Sequence, residues 1–271
     1  MSDCDHNCES CGVEGCSSRI EKAKQNERTK IKKIVGILSG KGGVGKSYVT
    51  SLLAVSLAKR GYKVGIMDAD ITGPSIPKAF GLKGNVYSDG KFIDPKESKI
   101  GIKVISANFL LDNESDPIVW RGPLLGGLVK QFYEEVSWGE LDYLLIDMPP
   151  GTGDVALTIF QMLPVDDLVI ITSPQDLVSL IVTKALKMAE MMNIHVKGVI
   201  ENMAYIECPD CKKHINVFGE SHLEQFASEM DFNILGRLPI VPNNASLVDQ
   251  GKVELIEMEE MEKVVDSFVE E

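Results

Sequence analysis

The sequence predicts an α/β fold, a mostly parallel, doubly wound sheet with helices on both faces, and three observations carry that prediction. From Ile34 onward, short strand-like apolar runs alternate with helix-like ones. A glycine-rich stretch, Ser39-Gly40-Lys41-Gly42-Gly43-Val44-Gly45-Lys46-Ser47, lies between the first such strand and the first such helix. Two further apolar runs close on acids, Val64-Gly65-Ile66-Met67 on Asp68 and Leu144-Leu145-Ile146 on Asp147, and α/β sheets bind ligands where strand ends converge on one edge.

Core strands are expected at 34–38, 63–67, 102–106, 142–146, 168–172, 196–200 and 234–237, short apolar runs suited to burial on both faces. Helices are expected at 46–60, 122–136, 154–163, 176–192, 220–230, 244–250 and 253–269. Residues 84–95, with Ser88-Asp89-Gly90 between two strand candidates, read as a β-hairpin inserted before the third core strand. The last helix sets Val253, Leu255, Ile256, Met258, Met261, Val264, Val265 and Phe268 against Glu254, Glu257, Glu259, Glu260, Glu262, Asp266, Glu270 and Glu271, an amphipathic pattern with an acidic face.

Before residue 34 the composition changes. Residues 1–18 form a Cys-rich segment with almost no apolar side chains, expected to be disordered unless a metal folds it. Residues 19–33 read as a basic linker, with Arg19, Lys22, Lys24, Arg28, Lys30, Lys32 and Lys33 against only Glu21 and Glu27. Residues 34–271 then make one domain.

The net charge is −12, from 28 basic and 40 acidic residues, so no diffuse attraction to nucleic acid or to a membrane surface is expected. No apolar run is long enough to span a bilayer and no signal-peptide pattern opens the chain, which predicts a cytoplasmic protein. In a reducing compartment, clustered cysteines read as metal ligands rather than disulfides.

The frame Gly40-x-x-x-x-Gly45-Lys46-Ser47 matches the phosphate-binding P-loop. Its glycines let backbone N–H groups converge on phosphates, Lys46 reaches the terminal phosphates, and the Ser47 hydroxyl faces Mg²⁺. Gly40, Gly42, Gly43, Val44, Gly45, Lys46, Ser47 and the adjoining Tyr48 are therefore the candidate nucleotide-binding residues. Asp147 is placed to hold the metal's water shell, and Gly151 can offer a backbone N–H to the γ-phosphate. The acids of Asp68-Ala69-Asp70 would point the same way from an extended chain, Asp70 toward the attacking water and Asp68 in support.

Together, Lys41-Gly42-Gly43-Val44-Gly45-Lys46-Ser47, Asp68-Ala69-Asp70-Ile71-Thr72-Gly73-Pro74-Ser75, Asp147-Met148-Pro149-Pro150-Gly151-Thr152-Gly153-Asp154 and Glu201-Asn202-Met203 resemble the Mrp/ApbC family. These are deviant Walker A ATPases with a P-loop NTPase fold that carry iron-sulfur clusters, relatives of MinD, ParA and the nitrogenase iron protein. The resemblance implies that Lys41 crosses a homodimer interface to the nucleotide of the other subunit. It also implies that Asn202 contacts adenine, that Gly236-Arg237-Leu238-Pro239 lines the base on the other side, and that ATP hydrolysis is a slow switch. Apo iron-sulfur proteins would be the recipients.

Cys208-Pro209-Asp210-Cys211 supplies two thiolates where a zinc ion or a [4Fe-4S] cluster usually takes four protein ligands, and a symmetric dimer would supply the other two. From spacing alone zinc and cluster stand level, since His214 follows as in a zinc knuckle; the resemblance favours the cluster. Cys4, Cys8, Cys11 and Cys16 can wrap one further centre and resemble in kind the N-terminal cluster of Nbp-type scaffolds, although their spacing departs from it. The rival reading is a MinD/ParA-type positioning ATPase with a structural zinc knuckle; its membrane-docking helix is basic, whereas the C-terminal helix here is acidic.

Overall fold

The computed structural model describes residues 22–70, 75–110, 122–174 and 178–269. In chain order the elements are β1 (Thr29–Ser39), α1 (Lys46–Lys59), β2 (Val64–Asp68), α2 (Ser75–Phe80), β3 (Tyr87–Ser88), β4 (Ile93–Asp94), β5 (Lys96–Glu97), β6 (Lys103–Ser106), α3 (Gly122–Glu135) and β7 (Gly139–Asp147). There follow α4 (Asp154–Met162), β8 (Asp167–Thr172), α5 (Val178–Met191), β9 (His195–Glu201), β10 (Ile206–Glu207), β11 (His214–Ile215), α6 (Leu223–Met230), β12 (Ile234–Arg237), α7 (Pro242–Asp249) and α8 (Glu259–Val269).

The main sheet runs β12-β9-β8-β1-β7-β2-β6-β5, parallel except for β5, which pairs antiparallel with β6 at the edge. Its central strands are buried on both faces: residues 34–39 of β1, the last four of β7 and all of β8 are inaccessible to solvent. That burial explains why they read as continuous apolar runs rather than as alternating ones. Right-handed crossovers carry the helices after β1 and β2 to one face and those after β6, β7, β8 and β9 to the other. The packing agrees: α1 lies against α2 and α8, and α2 against α7, while α3 meets α4 and α5 meets α6. Because the neighbouring strands β1 and β7 send their helices to opposite faces, a crevice opens at their C-terminal ends.

The hairpin expected within 84–95 is present as β3 paired with β4. Two expectations need correction. β1 begins at Thr29, not residue 34, because Thr29, Lys30 and Ile31 pair in register with Gly139, Glu140 and Leu141. Lys30, Lys32 and Lys33 are thus strand residues rather than linker, with the buried Ile31 among them and Lys32 reaching Asp142 at 2.7 Å. The single helix expected over 253–269 is broken: a 3-10 turn, Val253–Leu255, leads to an extended Ile256 before α8 starts. That break lets Val253, Ile256 and Met258 all enter the core. Met261, Val264, Val265 and Phe268 of α8 are buried against the fold, so its apolar face is spent inside the chain. Among the described residues no helix is long and apolar enough to cross a membrane.

Candidate functional site

The loop from β1 to α1 sits at this crevice. Gly43 and Gly45 take positive φ, 83° and 80°, which an L side chain adopts only with strain. Space matters as much: a Cβ on Gly40 would lie 1.3 Å from Ile181 Cγ2, and one on Gly45 would lie 2.3 Å from Asn202 Nδ2. Gly42 and Gly43 have nothing within 4 Å of an added Cβ, so that stretch faces outward. No side chain caps the start of α1, which leaves its first backbone N–H groups aimed at the loop. Lys41 is half-buried in the loop, its carbonyl accepting a bond from Ser39 Oγ at 3.0 Å.

Under the loop lies a charge cluster built from three strand ends. Lys46 Nζ is 2.8 Å from Asp147 Oδ1 and 3.5 Å from Asp70 Oδ2. Ser47 Oγ donates to Asp147 Oδ2 at 2.6 Å, and Thr50 Oγ1 approaches Asp147 Oδ1 at 2.9 Å and the Lys46 carbonyl at 3.0 Å. Asp147 is completely buried, so this ring of partners is what makes its charge tolerable. Asp68 accepts from Ser106 Oγ at 2.9 Å and from the Asp70 backbone N–H at 3.2 Å. Burial first, and then the charge of Asp147, push the Asp68 carboxyl well above the ordinary carboxylate range. Asp70 has left the strand and is the more open of the two acids.

Thr50 and Ser106 are not singled out by the sequence, and Glu201 enters there only as part of the motif Glu201-Asn202-Met203. Thr50 had a signal, one helical turn from Lys46 on the same face. Ser106 had none, because β6 meets β2 only through the sheet.

Two residues expected at the nucleotide make bonds within the chain. Gly151, at φ 94°, donates its N–H to the Ser39 carbonyl at 2.7 Å, so that group braces the loop. Asn202 is buried, and its amide donates to the Val44 carbonyl at 2.9 Å, so it props the loop from beneath. Arg237 is held by Glu201, Nε to Oε2 at 2.7 Å, and the buried Glu201 also accepts from Ser221 Oγ at 2.6 Å. Pro239 is buried two residues on, and Tyr48 OH accepts from Asn244 Nδ2 at 2.9 Å.

Cys208 and Cys211 lie in the turn between β10 and β11, whose two pairs are Ile206 with Ile215 and Glu207 with His214. The turn is tightened by Cys208 N–H to the Lys213 carbonyl and Lys212 N–H to the Cys208 carbonyl, both 3.0 Å, with Lys212 at φ 60°. Backbone N–H groups of Cys211 and Asp210 point at the Cys208 sulfur and pull its thiol below the ordinary value, which favours the thiolate that binds metals. Both cysteines are free and Cys211 is exposed. His214 does not turn to them: its ring stacks on Tyr205, centroids 3.8 Å apart and 14° from parallel. Among the described residues no three His, Cys, Asp or Glu side chains are grouped to hold a metal ion. Cys4, Cys8, Cys11 and Cys16 lie outside the described residues.

Comparison with known proteins places this geometry. An iron-sulfur cluster carrier protein of Clostridium perfringens is 48% identical over 248 residues, covering 89% of this chain and 87% of that protein. One from Methanocaldococcus jannaschii is 42% identical over 283 residues, covering 100% of this chain and 98% of that one. Among solved structures, the nucleotide-binding protein of Archaeoglobus fulgidus in complex with ADP, with Co found in it, is 44% identical, with a TM-score of 0.77 over 85% of this chain and 90% of that one. Aquifex aeolicus MinD in complex with MinC, at 21% identity and TM-score 0.65 over 87% of this chain and 93% of that one, shares the fold. A family profile matches residues 30–271, and on these grounds the chain belongs to the ParA-type, NUBPL iron-transfer P-loop NTPase family.

Proposed function

We propose that this protein carries an iron-sulfur cluster to apo iron-sulfur proteins, holding it between two copies of the chain and using ATP to govern its release. The observation that carries the reading is the isolation of the thiol pair: Cys208 and Cys211 project from one turn without a third metal-ligating side chain grouped with them among the described residues. A four-thiolate site for a [4Fe-4S] cargo is then completed by the same pair of a second chain across a two-fold axis. Delivery is a ligand exchange in which each cysteine thiolate of this chain is replaced on iron by one of the recipient, with no change in electron count. The names of the relatives point to an iron-sulfur cluster as cargo.

At the loop, Lys46 and the backbone N–H groups would bind the β- and γ-phosphates of ATP, and Ser47 with Asp147 would hold Mg²⁺ and its water, which supplies charge neutralisation. Asp70, open at the crevice, would orient the attacking water, with Asp68 fixing the Asp70 backbone. Lys41 would serve the partner's nucleotide, so that hydrolysis and cargo share one interface. Arg237 and Pro239 would line the base.

Anaerobic reconstitution with iron and sulfide, followed by metal analysis and native mass spectrometry, tests this. The expected product is a dimer that carries about four more iron atoms than the Cys208→Ala variant. A zinc knuckle is the second reading, favoured by the hairpin that frames the pair. Zinc bound within monomers, with no iron taken up, would establish it and end the carrier reading.

A further inference from the structure

We infer that Tyr205 is a positioning residue linking the phosphate loop to the thiol pair, so that nucleotide at the loop changes how Cys208 and Cys211 are presented. The inference rests on the nucleotide reading above and adds the residue through which it acts.

Asn202 is fixed at both ends, its backbone N–H on the Thr172 carbonyl at 2.8 Å and its amide on the Val44 carbonyl in the loop at 2.9 Å. Gly45 leaves no room between loop and amide, so a displacement of the loop meets Asn202 directly. Met203 turns the chain through a left-handed conformation, φ 60°. Beyond it the strand is stitched to the segment after β12, Ala204 N–H to the Leu238 carbonyl at 2.9 Å and Ile240 N–H to the Tyr205 carbonyl at 2.7 Å.

Tyr205 thus ends a short run, hydrogen-bonded at Asn202, Ala204 and Tyr205, that starts under the loop. Its ring lies flat on His214, which pairs with Glu207 immediately before Cys208. Its hydroxyl donates to Glu260 Oε1 on α8 at 3.1 Å, and α8 packs on α1, the helix that begins at the loop. Burial, followed by the charge of Glu260, pushes the phenol up to about 12, so it remains a donor at neutral pH. The hairpin beyond is open: Cys211, Ile215, Val217 and Phe218 are exposed, and the ion pair of Lys212 with Glu207 is internal to it. A flat aromatic stack with two rotatable bonds per ring transmits tilt with little slack.

The test uses the full-length, metal-free, reduced protein and reads the rate of iodoacetamide alkylation at Cys208 and Cys211, with and without Mg-ATP. ATP binding is measured separately with a fluorescent analogue. In the wild type, ATP is expected to change the rates about fivefold. Tyr205→Leu is expected to bind the analogue as the wild type does while its ratio falls to unity. Tyr205→Phe, which retains the ring, keeps the ratio, and His214→Ala, which removes the same stack from the hairpin side, loses it. A Tyr205→Leu or His214→Ala protein with the wild-type ratio overturns the inference. Wild-type protein that binds ATP without any change in thiol reactivity overturns it while leaving the nucleotide site standing; failure to bind ATP at all removes both.

Discussion

Asp68 and Asp147 sit side by side in the sheet, Asp68 paired with Asp147 in the register of β2 and β7, and Lys46 is in contact with Asp147 there. The consequence for Asp68 has a definite sign. Its folded-state pKa lies above the ordinary value of 3.8, so the native state holds the proton more tightly than the unfolded chain does. Its contribution to stability is complete below that ordinary value and is lost as pH rises through the folded pKa. Asp68→Asn should therefore gain stability relative to wild type as pH is raised from about 4 to about 8, by about 1.4 kcal/mol for each tenfold difference in proton affinity between the two states. Urea unfolding at several pH values measures it, and parallel curves would refute it. Thr50→Val poses the opposite case, since it keeps the shape but withdraws a hydroxyl from a wholly buried carboxylate. A loss of about 1–3 kcal/mol is expected in the same experiment, with nucleotide affinity reduced as Lys46 is drawn more closely to Asp147.

Elements decide how much of this could be read beforehand. The loop was legible because glycine spacing and the strand before it are local, and the acids were legible because each ends an apolar run. Gly45→Ala tests that reading at its tightest point: strain at φ 80° and a collision with Asn202 should abolish ATP binding while the sheet still folds, seen as lost analogue fluorescence with unchanged far-ultraviolet circular dichroism. What stayed hidden are pairings made by strand register. Glu201 lies beside Arg237 because β9 pairs with β12, although 36 residues separate them. Likewise β1 extends back to Thr29 because β7 offers partners there, so a stretch of alternating lysines that reads as linker becomes strand. The bonds that the Gly151 N–H and the Asn202 amide make to the loop belong to the same class: residue type and order announce a site, but the in-chain acceptor each N–H finds is set by how closely neighbouring loops approach.

For the whole molecule the decisive question is pairing. Lys41 lies in the loop and the thiol pair stands on an exposed hairpin, and both readings need a second chain. Lys41→Ala should leave ATP affinity within about threefold of wild type yet lower the hydrolysis rate on the order of a hundredfold, the usual cost of one charge-stabilising donor. Equal loss of binding and turnover would place Lys41 on its own chain's nucleotide instead. The anchoring of β1 carries a further consequence. Ala23 N–H is bonded to the Met162 carbonyl at the end of α4, so the chain joins the folded body at the edge opposite the loop. An eleven-residue strand separates those edges, about 35 Å at the usual rise, and Cys208 follows β9 on the loop side. Covalent geometry lets the six bonds from Lys22 back to Cys16 span about 20 Å at most. On covalent reach alone, then, Cys16 falls short of the far edge of its own chain, whereas Cys11, Cys8 and Cys4, eleven, fourteen and eighteen bonds from Lys22, do not.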